Sequence, residues 1–318
     1  MKKIFFFSLI SLFLLFPLFL NKEYFKEEET YTLLFAGDIM LNRGVEHMVK
    51  KHGEDFSFPF LNIREKLQST DLLFGNLESM ISDKGRRIGS IYSFRADKDA
   101  VNALTYAGFD IVSLANNHTF DYDREAFEET MKLLEENNIS YTGAGLNKEE
   151  AHSPTILLLG EETKVGFLGY TEFFSSYAFA KENISGITNF SEEQMEIDIK
   201  NAKNLTDFLV VTFHYGDEYQ KLPNEKQKKW SKMAIDYGAD LVIGHHPHIT
   251  QSVEKYNGKY IAYSLGNFVF DQYFSEETMK GFLLEIKVRG KEVISAKKIH
   301  YKLNEFYQPE ITEEEEMN

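Results

Sequence analysis

The chain has 318 residues, 43% of them apolar and 27% charged, which fits one large or two ordinary globular domains and excludes a largely disordered, collagen-like or polytopic membrane chain. Lys and Arg number 35 against 50 Asp and Glu, and the net charge of −15 argues against nucleic acid as a partner because it repels phosphates. There is no cysteine, so disulfides, thiolate metal sites and cysteine nucleophiles are excluded, and any metal must be held by imidazole, carboxylate, amide or water.

In chain order, the first element is an apolar run from Ile4 to Leu20, preceded by Lys2 and Lys3. Its 17 residues span about 25 Å as a helix, short of a ~30 Å hydrocarbon core but workable with local thinning. The exit, Phe19-Leu20-Asn21-Lys22-Glu23, offers no small-x-small cleavage site. Residues 1–20 therefore read as a signal-anchor, with a cleaved signal peptide as the alternative. The paired lysines stay inside, which predicts a single-pass protein of the cell membrane with its C-terminal domain outside the cytoplasm. Residues 21–30 read as a polar stalk and 31–307 as one domain. Residues 308–318, with four consecutive glutamates from Glu313 to Glu316, read as a solvated acidic tail.

Within the domain, short apolar runs predict buried strands at Tyr31–Ala36, Asp71–Phe74, Asp110–Leu114, Val165–Gly169, Phe208–Phe213, Leu241–Ile243 and Tyr260–Leu265. Phe127, Met131 and Leu134 share one helical face, as do Trp230, Met233, Ala234 and Tyr237 after a cap at Asn224. The alternation predicts an α/β architecture, with a strand-rich part from Tyr260 onward.

The residues just past the strand ends carry the chemistry. Gly37-Asp38, Asn76-Leu77-Glu78, Asn116-Asn117-His118, His214-Tyr215-Gly216-Asp217, Gly244-His245-His246-Pro247-His248 and Gly266-Asn267 all stand at predicted carboxyl ends, where α/β sheets gather ligand sites. Three imidazoles within four residues at 245–248 are costly to crowd together unless a cation shares their lone pairs. His246 and His248 alternate as on a strand, so both face one side. Such a set suits hydrolysis at a divalent centre of Mn, Zn or Fe, with one site and room for a second. His118 sits beside a candidate ligand and suits protonation of a leaving group. Asp217 and Glu218 are placed to orient the histidines. Lys84, Arg86, Arg87 and Arg95 cluster in an otherwise acidic chain and suggest a landing surface for an anionic polymer.

The order of these motifs resembles the calcineurin-like metallophosphoesterases. The strings FAGDIMLNRGVE, DLLFGNLES, YSFRADKDAVNALTYAGFDIVSLANNHTFDYD, VVTFHYGDEY and GADLVIGHHPHITQSVEKYNGKYIAYSLGNFVFDQ are similar to the bacterial capsule synthesis CapA/PgsA family, over about residues 32–272. The resemblance implies a metallophosphoesterase-like four-layer α/β/β/α sandwich and a membrane-anchored, extracytoplasmic role in poly-γ-glutamate capsule synthesis. It also implies anionic poly-γ-glutamate, the membrane subunits of its synthase and the cell membrane as partners. Carried over by motif, the metal ligands are Asp38, Asn117, His214, His246 and His248, with His118 catalytic. Asn116, His245 and Arg95 are assigned to substrate. Two positions depart from the superfamily pattern. Met40 stands where a histidine ligand is usual and Asn76 where an aspartate bridges two metals; Glu78 is the candidate replacement. The departures leave a second reading, a non-catalytic accessory subunit that binds polymer in a degenerate metal pocket.

Overall fold

A computed structural model of the chain describes residues 29–88, 91–173 and 176–317. The signal-anchor and most of the stalk lie outside the described residues. No helix among the described residues is long and apolar enough to cross a membrane.

Among these residues, fourteen strands build two facing sheets. The first sheet contains β1 (Thr30–Ile39), β2 (Leu72–Leu77), β3 (Ile111–Ser113) and β4 (Ser140–Thr142). The second contains β5 (Thr155–Leu159), β6 (Thr163–Thr171), β7 (Phe208–His214), β8 (Leu241–His245), β9 (Val253–Tyr256) and β10 (Lys259–Ala262). The chain then returns to the first sheet with β11 (Asn267–Val269), β12 (Lys280–Arg289), β13 (Glu292–Leu303) and β14 (Pro309–Met317). The sheet orders are β14-β13-β12-β1-β2-β3-β4, with β11 beside the end of β1, and β9-β10-β8-β7-β6-β5. β1 to β4 run parallel, as do β6, β7, β8 and β10; β12 to β14 are antiparallel.

The parallel strands are covered on both faces, which is why they read as unbroken apolar runs. Leu33, Phe35, Phe74, Phe167, Val210, Ile243 and Leu284 fill the space between the sheets. Helices Arg43–Lys51, Val101–Ala107 and Asp123–Glu136 cover the outer face of the first sheet, and Glu192–Lys203 and Glu225–Tyr237 that of the second. The result is the four-layer sandwich. Asn224 caps its helix in a full capping box with Gln227.

The glutamates at the end of the chain depart from expectation. Residues 309–317 form β14, an edge strand paired along β13, not a free tail. Lys297 stands 2.9 Å from Glu314, and Lys298 and His300 stand 3.3 and 3.2 Å from Glu315, so a cation faces the acidic run from the next strand. These ion pairs are exposed and individually weak; the backbone ladder is what holds the strand.

Candidate metal centre

β1, β2, β3, β7 and β8 all end at the same edge of the sandwich, so the side chains after them converge although up to about 200 residues separate them in sequence. The sheets meet tightly here. A Cβ on Gly37 would stand 1.9 Å from the Gly266 carbonyl oxygen, so only glycine lets β1 run against that backbone, where the Asp38 N–H donates to the same carbonyl. Asp38 pairs with Asn76 on one side and Asn267 on the other.

Asp38, Glu78, His214, His246 and His248 are all buried. One donor atom from each of Asp38, Glu78 and His248 lies within 4.8 Å of the others, and the same holds for Glu218, His246 and His248. A third convergence adds Asn117. His214 Nε2 is 2.8 Å from Asn117 Oδ1 and 3.1 Å from His246 Nδ1. His248 Nδ1 faces Asn267 Oδ1 at 2.9 Å, which leaves Nε2 as its free donor atom; Asn267 is itself held by Gln272 at 3.0 Å.

The electrostatics of this cluster are those of a site short of positive charge. Burial opposes ionisation of Asp38, yet the close imidazoles of His245 and His248 hold its carboxyl well below the usual range. Burial, followed by the nearby Asp38 charge, pushes Glu78 well above it. Burial and the neighbouring His246 push His214 down, and burial with His248 brings His246 to about 3. His248 moves the other way, to about 9: burial lowers it, but the Glu78 and Asp38 charges together outweigh burial. Glu78 Oε2 is buried with no hydrogen-bond partner. A buried carboxylate oxygen with no partner is expensive without a cation. The donor set, all nitrogen and oxygen, fits divalent Mn, Zn or Fe.

Asn76 does not fit the bridging role. Its amide nitrogen faces the cluster, donating to Asp38 Oδ1 at 2.8 Å and Glu78 Oε1 at 3.3 Å. A donor so placed orients carboxylates and ligates no cation. Met40 is packed in the core, its sulfur accepting from the Asn42 N–H.

His118 lines the cleft outside the cluster. Its Nδ1 is 2.8 Å from Asp121 Oδ2, its ring packs on Phe94, and its Nε2 stands 3.2 Å from the Asn117 amide. The acid-oriented imidazole thus turns Nε2 toward the cleft.

The structure separates the three residues assigned to substrate from the cleft. Asn116 is fully buried, donates to the Leu77 carbonyl at 2.7 Å and accepts from the His118 N–H, so it pins the loop. His245 is the last residue of β8, buried against Phe74 of the inter-sheet core. Its Nδ1 stands 3.2 Å from Asp38 Oδ1, near enough to act on its charge but poorly aligned for a hydrogen bond. Arg95 donates to the Lys84 and Gly85 carbonyls and stacks on Tyr122. Of the other basic residues, Lys84 pairs with Glu129 and Arg86 faces Asp123. His246 and His248 do not alternate on a strand either. β8 ends at His245, and both residues take positive φ, 97° and 58°, in a tight turn. That uncommon backbone turns the two imidazoles inward where a strand would not.

Sequence reasoning underrates four residues. Glu218 is in ligand range although its spacing suggests only an orienting group, and Asp217 instead accepts from Asn224 at the helix cap. Asp121, three residues after His118, is readable from that spacing. Asn267 is visible at a strand end, and Gln272 behind it carries no signal.

A cleft of about 620 Å³ opens above the centre, lined among others by Asn117, His118, Glu218, Tyr219 and His248. A larger groove of about 790 Å³ near Tyr141 and Pro154 has carboxylates but no imidazole, so the donor set, not the volume, identifies the site.

Residues 32–272 match the family model described as "Bacterial capsule synthesis protein PGA_cap". The chain is 33% identical over 255 residues to "Capsule biosynthesis protein CapA" of Bacillus anthracis, covering 78% of this chain and 61% of that protein. It is 31% identical over 247 residues to "PGA biosynthesis protein CapA" of Bacillus subtilis, covering 77% and 64%. The chain therefore spans a little over three fifths of the length of these curated relatives. A solved phosphatase structure from Mycoplasma pneumoniae superposes with a TM-score of 0.50 at 14% identity, covering 86% of this chain and 94% of that one. That likeness concerns the fold.

Proposed function

The chain belongs to the bacterial capsule synthesis protein family, and from that premise we propose that it serves poly-γ-glutamate capsule synthesis as a metal-dependent phosphoester hydrolase. Residues 1–20 anchor it in the cell membrane and the sandwich works outside the cytoplasm, beside the membrane subunits of the polymer synthase. The observation that carries the hydrolase reading is the convergence of Asp38, Glu78, Asn117, His214, His246 and His248 below a cleft whose wall holds the His118–Asp121 pair.

Asp38, Glu78 and His248 would hold one divalent cation; Asn117, His214 and His246, with Glu218 at the rim, would hold a second. A cation there supplies charge neutralisation and polarises a phosphoryl oxygen. The chain's own residues supply the rest. Asn267 fixes the His248 ring through Nδ1, the nitrogen that also stands 3.4 Å from Asp38 Oδ2. Asn76 keeps the Asp38 and Glu78 carboxylates apart and oriented. His118, protonated at Nε2, gives that proton to the leaving oxygen, and Asp121 stabilises the imidazolium through Nδ1.

The accessory reading, polymer binding without hydrolysis, is favoured by Met40 and the inward amide of Asn76, which depart from a full dinuclear set. Turnover decides between them. The full chain loaded with Mn²⁺ should hydrolyse bis(p-nitrophenyl) phosphate, and His118→Ala should abolish most of that rate while metal content holds. Equal rates in both proteins would remove His118 as the proton donor, and no turnover in either with metal bound would leave the accessory reading.

A further inference from the structure

The cleft above the metal centre has a composition that a run of carboxylates does not fit. Among the described residues, Arg43 is the one Lys or Arg that lines it, and its guanidinium fork is closed on both oxygens of Asp271. Glu218 adds a carboxylate at the same rim. Repeated anionic groups entering here would meet more negative charge than positive beyond the metal itself.

What the cleft does offer is an aromatic wall leading outward from the ligands. The Tyr219 ring lies 6.1 Å from His248 on one side and 5.2 Å from Phe274 on the other, the latter edge-on. Tyr92 and Phe274 line the mouth at 64% and 63% exposure, unusually open for large rings that flank a polar site. Polar groups interleave with these faces. The Gln272 amide donates to the Tyr219 hydroxyl at 3.2 Å, and Asn117 and Glu218 stand nearby. An acyl chain would strip water from those groups and return no hydrogen bonds. A pyranose ring presents an apolar C–H face for the aromatics and an edge of hydroxyls for the amides and carboxylate.

Resting on the metal-centre reading, we infer that this cleft selects a glycosyl phosphate: one phosphoryl group at the metal centre, with the sugar ring stacked on Tyr219 and held at the mouth by Tyr92 and Phe274. The polymer's carboxylates are then not the group handled at the centre. The site acts on a sugar-linked phosphate such as a cell-surface glycan carries.

The test is calorimetric titration of the full chain loaded with Mn²⁺, using phosphonates that resist hydrolysis. The probes are methylphosphonate, a C-glucosyl methylphosphonate, dodecylphosphonate and tri-γ-glutamate. The glucosyl compound should bind at least 10-fold tighter than methylphosphonate, and this ratio should fall to within about twofold in the Tyr92→Ala/Phe274→Ala double variant. Tri-γ-glutamate and dodecylphosphonate should both bind more weakly than the glucosyl compound. A glucosyl ratio near one, a ratio kept by the double variant, or tighter binding of either other probe overturns the inference while the metal centre stands. Failure of methylphosphonate itself to bind the Mn²⁺-loaded protein removes the metal-centre reading, and the inference with it.

Discussion

The two sheets contribute opposite halves of the centre. The second sheet supplies imidazoles, His214 from β7 and His246 and His248 from the turn after β8. The first supplies carboxylates and amides, Asp38 and Asn76 from β1 and β2, Glu78 just beyond, and Asn117 in the loop after β3. The imidazole half matches the metallophosphoesterase motif that the sequence resembles. The carboxylate half departs from that motif, with Met40 where it has a histidine and Asn76 where it has a bridging aspartate, and Glu78 places a buried carboxylate two residues on. A cation bound between the sheets would tie them together, so each half would constrain the other. Changes in the imidazole half remove ligands outright, whereas changes in the carboxylate half alter charge and orientation.

The largest effect should come from the proton donor, not from a ligand. His118→Ala should lower kcat for bis(p-nitrophenyl) phosphate by about 10²- to 10⁴-fold, with metal content by plasma mass spectrometry unchanged. His248→Ala comes next, because His248 belongs to both donor groups. Equilibrium dialysis should give at least about 100-fold weaker Mn²⁺ binding, the upper end of what loss of a mere orienting partner costs. Asn267→Ala keeps every ligand but frees the His248 ring, and about 10-fold weaker binding is expected. If Asn267→Ala matched His248→Ala, the distinction between ligating and orienting residues would fail.

A smaller effect is set by pH. His248 sits at about 9 against an ordinary 6.5 in the metal-free protein. Its stabilising contribution is complete below 6.5 and is lost as pH rises through about 9. A bound cation must displace that proton and the one on Glu78, so metal gains on protons as pH rises. The rise in melting temperature on adding Mn²⁺ should therefore be larger at pH 8.5 than at pH 6.5; a smaller rise would contradict the assignment of His248 as a ligand. The smallest change should be Arg95→Ala. The two carbonyl contacts it loses should cost about 1 kcal/mol in chemical denaturation, with turnover altered less than twofold.

Much of this architecture is legible in the sequence because the strands are short buried runs and the chemistry stands immediately after them. Every predicted strand before Tyr260 lies on an observed one, with ends shifted by at most three residues. Asp38, Glu78, Asn117, His118, His214, His246 and His248 do converge. Direction is what the sequence does not show. His245 and His246 are neighbours, yet one packs on the core and the other faces the centre, because the strand ends between them and φ turns positive. Arg95 looks free in a charge count, but its partners are backbone carbonyls, invisible to sequence. The acidic run at 313–316 reads as a tail by composition, but it pairs by its backbone along β13, where Lys297, Lys298 and His300 offset its charge. Asn267 acts only through His248, and nothing in its own neighbourhood of sequence says so.

The central claim, a metal centre shared between two sheets, is tested most directly by anomalous scattering from crystals of the Mn²⁺-loaded protein. A peak is expected among Asp38, Glu78 and His248, and a second, where occupied, among Asn117, His214 and His246. Crystals in which Mn²⁺ binds only elsewhere, with His214 still hydrogen-bonded to His246 and Asn117 and His248 still hydrogen-bonded to Asn267, would contradict it.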